Sequence, residues 1–352
     1  MNNLKKYVIF TGESVRNAIK KMDVEDISFL VVVDTSDKVV GVFTSGDFRK
    51  AVLKGIDISK KLLHVANTDY LYVNYGYAKE DVYKSFEVEM INHLPVLKDS
   101  ELVDIIHRDE YFSDSEIIDN NAKGSPVVIM AGGKGTRLEP FTRILPKPLI
   151  PIGNDPIIKV IMDEFFKYGM DDFFLTVNDK SRMIKAYFYD HTINYNIDFV
   201  DEDKPLGTAG SLRLLIGKLA KPFFVSNCDI IIKEDYGEIL NFHKEGGYSI
   251  TLVGSMRQYA IPYGVCDLEK DGDLKNIREK PEYDFLVNTG MYIIEPEILK
   301  NIPENTYYDM TSFIEESKAK GLRVGVYPVS QDSWIDIGQW AEYKNAIGKL
   351  DL

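Results

Sequence analysis

Apolar and polar positions alternate in two different rhythms along this chain. Over the first ~115 residues the pattern repeats itself. Ala18–Val33 aligns without gaps, 64 residues on, with Val82–Leu97. Asp23/Glu87, Val24/Val88, Glu25/Glu89, Ile27/Ile91, Leu30/Leu94 and Val32/Val96 keep their character. After a turn one residue shorter, Val40–Phe48 matches Val103–Tyr111. Each unit predicts a helix, an apolar strand, a turn at Asp/Ser, a second strand and a helix start. Two such units side by side would bury each other's apolar faces, as repeats do. Residues Ser113 to Ser125 are polar and aperiodic, and read as a linker.

From Pro126 the rhythm changes. Short apolar runs at Val127–Met130, Phe173–Val177, Ile197–Val200 and Phe223–Ser226 predict strands. Between them, Ile157–Tyr168, Arg182–Tyr189 and a segment from Thr208 predict helices. Strands alternating with helices imply an α/β fold around an open, largely parallel sheet, with ligands at the carboxyl ends of its strands. The expected domains are residues 1–118 and 126–352.

Composition narrows the class. The 352 residues are 45% hydrophobic and 28% charged, which suits a soluble globular protein. No run reaches the ~18 apolar residues of a membrane span, and Met1–Tyr7 lacks the apolar core of a signal peptide. Two cysteines, Cys228 and Cys266, make neither a disulfide framework nor a zinc site. A cytoplasmic location is expected. A net charge of −13 argues against nucleic acid or an anionic membrane as partner.

The chemistry concentrates where the first apolar run of the second half ends. Met130-Ala-Gly-Gly-Lys-Gly-Thr-Arg-Leu-Glu-Pro140 is followed by Pro146-Lys-Pro-Leu-Ile-Pro151. Gly132, Gly133 and Gly135 allow backbone N–H groups to approach a phosphate, and Arg137 and Lys147 supply positive charge. The segment contains no GxxxxGK[ST] loop, and no GxGxxG with a downstream acid follows a strand. Further on, Asn227-Cys-Asp229 follows the Phe223–Ser226 run and Asp336 lies in Trp334-Ile-Asp-Ile-Gly338. Two carboxylates with open positions around them suit Mg²⁺, which keeps water and phosphate as its other ligands.

Gly132–Ile152 carries the pattern GGxGTRLxPxTxxxPKPLxPI without a break, and on it the second half resembles the sugar-1-phosphate nucleotidylyltransferase family. The resemblance implies a Rossmann-like, GT-A-like nucleotide-diphospho-sugar transferase domain with a mixed sheet. Its substrates would be a nucleoside triphosphate and a sugar 1-phosphate, joined with loss of pyrophosphate. Carried over by motif, Ala131, Gly132, Gly133, Gly135 and Thr136 would line the nucleotide, with Gly207 and Thr208 of Pro205-Leu-Gly-Thr-Ala-Gly210 at the base. Arg137 would hold the leaving pyrophosphate, Lys147 the α-phosphate, and Asp229 and Asp336 the Mg²⁺. Lys280 of Glu279-Lys-Pro281 would meet the sugar phosphate. Glu279, Gly264, Asn288 and Thr289 would contact the sugar.

Two phosphorylated substrates pose a charge problem in so acidic a chain. Unit charges ~4 Å apart repel by about 4 kcal/mol at an effective dielectric near 20. Arg137, Lys147, Lys280 and Mg²⁺ are the cations expected to offset that repulsion. Glu202 stands five residues before Gly207, where uracil- or thymine-using relatives carry glutamine. A carboxylate only accepts hydrogen bonds, and guanine offers N1–H and N2–H₂ side by side, so GTP is the expected triphosphate.

The repeated half resembles a tandem cystathionine-β-synthase-type (CBS) pair, a module that binds adenosine nucleotides in many proteins. Its Thr/Ser-x-x-Asp motif stands as Thr44-Ser-Gly-Asp47 in the first unit and has become His107-Arg-Asp-Glu110 in the second. Thr44 and Asp47 are read either as a cap for a helix beginning near Phe48 or as that cap plus a ligand contact. CBS pairs associate face to face, so a homodimer or higher homo-oligomer is expected. A CBS pair ahead of this domain resembles bacterial guanylyltransferases that make GDP-amino-sugars for nonulosonic acid synthesis. Glucosamine 1-phosphate and mannose 1-phosphate remain alternative acceptors. A thymidylyl- or uridylyltransferase on glucose 1-phosphate and an inactive regulatory homologue are the competing readings. No hexapeptide repeat follows Trp340, so a C-terminal β-helix is not expected.

Overall fold

A computed structural model describes residues 4–88, 91–108, 121–191, 193–338 and 343. Glu89, Asp109, Glu110, Tyr111, Trp340 and most of the expected linker lie outside the described residues. The chain divides into two compact units, Met1–Glu116 with Ser330–Asp332 and Ile117–Val329 with Ser333–Leu352.

The first unit repeats one topology. Val8–Phe10 runs parallel to Phe29–Val33, which pairs antiparallel with Val39–Thr44. Val73–Asn74, His93–Lys98 and Glu101–His107 do the same. The bulge in the first hairpin falls at Val32/Val33 and that in the second at Val96/Leu97, 64 residues apart like the sequence repeat. The repeats share a core: Phe29, Val31 and Val42 of the first pack with Leu97 and Ile105 of the second. The helix after the first hairpin, Ser45–Leu53, starts three residues before the expected Phe48. The reason is a reciprocal cap: Thr44 Oγ1 accepts the Asp47 N–H, and Asp47 accepts the Thr44 N–H at 3.0 Å.

His93 and His107 stand directly opposite each other in the second hairpin. His93 stacks on Phe29 at 4.9 Å and meets the His107 ring edge-on at 5.1 Å. Burial, with His107 adding to it, lowers the His93 pKa to about 4. The folded form therefore binds fewer protons than the unfolded chain, so this stabilisation is present above the ordinary histidine pKa. It is lost as pH falls toward 4. We expect unfolding of the first unit to become easier by up to ~3 kcal/mol between pH 6.5 and 4. His93→Phe should flatten that limb in urea titrations across pH. A wild-type stability unchanged over this range would contradict the assignment.

The second unit is built on a seven-stranded sheet in the order Asn196–Asp201, Asp172–Val177, Val127–Met130, Phe223–Asn227, Glu282–Ile294, Ile250–Ala260, Val324–Val329. Only Glu282–Ile294 runs against the others. The interior strand Val127–Met130 is apolar throughout because both its faces are covered, one by a core around Phe165, Phe224 and Tyr236, the other by Leu212, Leu215 and Phe313. The expected helix from Thr208 is a four-residue turn, Gly207–Gly210, continued as 3₁₀ helix through Leu215. Gly207 and Gly210 lie so close to the Tyr308 and Thr306 carbonyls that a Cβ would sit 2.7 and 2.8 Å from them. Beyond the sheet, Ile250–Ala260 and Glu282–Ile294 run on together as a long two-stranded ribbon.

Candidate active site

Four strands deliver their next residues to one edge of the sheet. Val127–Met130 leads into the glycine loop, Asp172–Val177 into Asn178, Asn196–Asp201 into Glu202 and Phe223–Asn227 into Asp229. The Ala131 N–H is taken by the Thr176 carbonyl at 2.9 Å, so Ala131 continues the sheet and has no amide to offer a phosphate. The amides of Gly132, Gly133, Lys134 and Gly135 have no protein partner among the described residues. Gly135 has φ +65°, which reverses the chain into the turn Thr136–Leu138. A loop of bare amides thus stands where the glycines led an anion cradle to be expected.

Glu202 lies against that cradle: a Cβ on Gly132 would fall 2.7 Å from its Oε1. Its other oxygen accepts the Leu206 N–H at 3.1 Å, and Asn178 Nδ2 donates to its backbone carbonyl at 2.7 Å. Burial raises the Glu202 pKa, with the Leu206 N–H opposing. The carboxylate is therefore a positioned, partly dehydrated acceptor with lone pairs to spare. Sequence reasoning did not find Asn178; its only sign is an amide ending a strand next to Glu202's. Thr208 Oγ1 accepts the Met310 N–H at 2.8 Å and so braces the turn that carries Gly207.

On the other side of the loop, Lys147 is threaded under Gly135. A Cβ there would meet the Lys147 Cβ at 2.8 Å, so the glycine makes room for the lysine stem. Lys147 is 8% and Asp229 6% exposed, and the Lys147 ammonium donates to Asp229 Oδ2. Asp336 arrives from more than a hundred residues away through a short antiparallel ribbon in which Ile230 faces Asp336 and Ile232 faces Trp334. Ile337 N–H donates to the Asp229 carbonyl at 2.8 Å and closes it. Ile335 and Ile337 are 3% and 0% exposed; alternation along the chain turns Asp336 the other way.

The two carboxylates converge on Gly338. A Cβ there would lie 2.5 Å from Asp229 Oδ2 and 2.9 Å from Asp336 Oδ1, and the Gly338 N–H donates to that same Asp336 oxygen at 2.7 Å. Burial raises the Asp336 pKa and the Asp229 charge adds to it, while the Gly338 N–H, Lys147 and Arg137 oppose. Arg137, exposed on its turn, thus lies within electrostatic reach of Asp336. Two carboxylates with no third His, Cys, Asp or Glu grouped beside them among the described residues fit a cation that takes its other ligands from phosphate and water. Cys228 is buried, which pushes its thiol up to about 12 and makes it no nucleophile.

The expected sugar contacts fall into two places. Asn288 and Thr289 hold the turn at Gly290: Asn288 Oδ1 accepts the Gly290 N–H at 3.1 Å, and Thr289, 3% exposed, donates to the Val253 carbonyl at 2.8 Å. Gly290, at φ +90°, lies directly beneath Asn227, a neighbour of Asp229 that sequence reasoning passed over. Glu279, Lys280 and Gly264 stand together at the far end of the long ribbon, where Glu279 Oε2 would lie 3.1 Å from a Cβ on Gly264. Lys280 is exposed there with φ +44°, and no described contact ties it to Asp229 or Asp336.

The strand ends of this α/β sheet thus gather a loop of unpartnered amides, a buried lysine and two converging aspartates. Residues 126–351 match the nucleotidyl transferase family, and the chain belongs to that family. Residues 5–54 match the CBS domain. The chain is 32% identical over 227 residues to a probable mannose-1-phosphate guanylyltransferase 1 of Oryza sativa subsp. japonica, covering 61% of this chain and 62% of that protein. It is 34% identical over 230 residues to the mannose-1-phosphate guanyltransferase of Schizosaccharomyces pombe, covering 61% of each. The chain thus spans about three fifths of the length of these relatives. Among solved structures it resembles HddC from Yersinia pseudotuberculosis, with TM-score 0.51, 25% identity, and coverage of 64% of this chain and 99% of that one. The inositol-1-phosphate CTP transferase of T. maritima shares the fold at TM-score 0.51 and 19% identity, over 66% of this chain and 98% of that one.

Proposed function

We propose that this chain transfers GMP from GTP to a sugar 1-phosphate, giving a GDP-sugar and pyrophosphate. The observation that carries the reading is the meeting of Asp229 and Asp336 at Gly338, with Lys147 on one of them, beside a loop of free amides. The attacking group is a phosphate oxygen, already anionic at neutral pH, so the protein needs no base and forms no covalent intermediate. Its work is positioning and charge stabilisation. The amides of Gly132, Gly133 and Gly135 cradle the triphosphate beside Thr136, and Arg137 steadies the departing pyrophosphate. Lys147 stabilises charge at the α-phosphate, Lys280 meets the phosphate of the acceptor, and Glu279 and Gly264 at the ribbon's end and the Asn288–Thr289 turn contact its sugar. Mg²⁺, which the family generally uses, would be held by Asp229 and Asp336 and would neutralise phosphate charge.

Glu202 supports guanine as the base, and the names of the relatives support mannose 1-phosphate over glucosamine 1-phosphate as acceptor. A role in bacterial surface-glycan or nonulosonic acid synthesis fits either product. We place the enzyme in the cytoplasm with its two charged metabolites, as a homo-oligomer, with Thr44 and Asp47 facing an adenine nucleotide in the CBS unit. No helix among the described residues is long and apolar enough to cross a membrane.

Pyrophosphate release tests the base directly. With either sugar phosphate, GTP should exceed ATP, CTP, UTP and dTTP in kcat/KM by about 100-fold. Glu202→Gln should erase 10- to 100-fold of that preference, roughly the worth of a charge-assisted hydrogen bond. Because burial raises the Glu202 pKa, its acceptor form is lost at a higher pH than for an ordinary carboxylate. The KM for GTP should therefore rise early on acidification, and that limb should vanish in Glu202→Gln. A preference for UTP or dTTP would overturn the base and leave the reaction class standing.

A further inference from the structure

Asp229 meets the Lys147 ammonium through the oxygen it turns toward Asp336. Oδ2 accepts from Lys147, and Oδ2 is the atom that abuts Gly338 opposite Asp336 Oδ1. Both side chains of the ion pair are about nine-tenths buried. A buried carboxylate without a counter-charge is costly, and two facing each other more so. Resting on the metal site proposed above, we infer that Lys147 is a stand-in for the divalent cation. In the free protein its ammonium holds the oxygen that a metal shared by the two aspartates needs.

The local chain is built for such an exchange. Lys147 begins a one-turn 3₁₀ helix between Pro146 and Pro148, which fixes its backbone, and the stem passes under Gly135 of the bare-amide loop on its way to Asp229. One side chain therefore reaches either the aspartates or a phosphate seated on those amides. Lys147 and the metal compete for Asp229 until a triphosphate offers the ammonium another anion. Metal binding to the free protein is weak, and triphosphate strengthens it. The protein also stays folded without metal, because its own lysine offsets the charge of the more buried aspartate.

The test is binding of Mn²⁺, read by loss of its free electron-paramagnetic signal, to wild type, Lys147→Met, Lys147→Gln and Asp229→Asn without nucleotide. Both Lys147 variants should bind Mn²⁺ at least about ten-fold more tightly than wild type, because a competing charge has gone. Their melting temperatures should be lower than wild type in EDTA and should rise more than wild type on adding Mn²⁺. Asp229→Asn should abolish the binding. Equal or weaker Mn²⁺ binding in the Lys147 variants, with Asp229→Asn still abolishing it, would overturn the stand-in role alone. Binding indifferent to Asp229→Asn would overturn the metal site and the inference with it.

Discussion

Asp229→Asn should lower kcat at saturating Mg²⁺ by about 10³-fold or more, the scale of losing a preorganised charge at a phosphoryl centre. The backbone should survive, because Asp229 is set by the Ile337 N–H and by the apolar Ile230–Ile232 strand rather than by its carboxylate. Stability should still drop by up to ~3 kcal/mol, since Lys147 is left buried beside a neutral amide. Asp336→Asn separates the two effects. It leaves the Lys147–Asp229 pair in place and should cost as much turnover with far less stability. Steady-state rates and thermal melts of both variants check this. Near wild-type turnover in either would remove the aspartates from the chemistry.

Gly338→Ala should be the second large effect. Its Cβ would enter the gap between the two carboxylates, 2.5 Å from one oxygen and 2.9 Å from the other. Neither can yield cheaply, because Asp336 is tied to the Gly338 N–H and Asp229 to Lys147. We expect the Mg²⁺ concentration for half-maximal rate to rise by about 10- to 100-fold, as when the shell around a metal site is disturbed. A Mg²⁺ titration of activity reads the shift. Gly12→Ala, where an added Cβ meets nothing within 4 Å, should leave the titration unchanged. A normal Mg²⁺ requirement in Gly338→Ala would mean that the aspartates do not act from this arrangement.

The strands at Val127–Met130, Phe173–Val177 and Phe223–Ser226 were readable because buried parallel strands leave unbroken apolar runs. The reversed strand was not. Its first half, Glu282–Thr289, extends past the sheet in the ribbon and mixes polar with apolar residues, so no unbroken apolar run marks the whole strand. Each aspartate could be marked from its motif, but their meeting depends on the pairing of Ile230 with Asp336, a contact between distant segments that no local spacing records. The same holds for groups spent on the fold itself. Thr289 looks like any turn threonine until its hydroxyl is seen on the Val253 carbonyl, and Ala131 looks like part of the glycine loop until its amide is seen on Thr176. Thr44 and Asp47 showed the reverse case, where a local rule sufficed to foresee the cap and missed only where its helix begins.

In the function proposed for this chain, Asp229 and Asp336 would share one divalent cation next to the glycine loop. The most direct test is a crystal of the protein with Mn²⁺ and a non-hydrolysable GTP analogue, the metal located by anomalous scattering. We expect one strong peak about 2.2 Å from a carboxylate oxygen of each aspartate, with phosphate oxygens completing the shell. A peak held elsewhere, or by one aspartate alone with the triphosphate away from Gly132–Gly135, would contradict it.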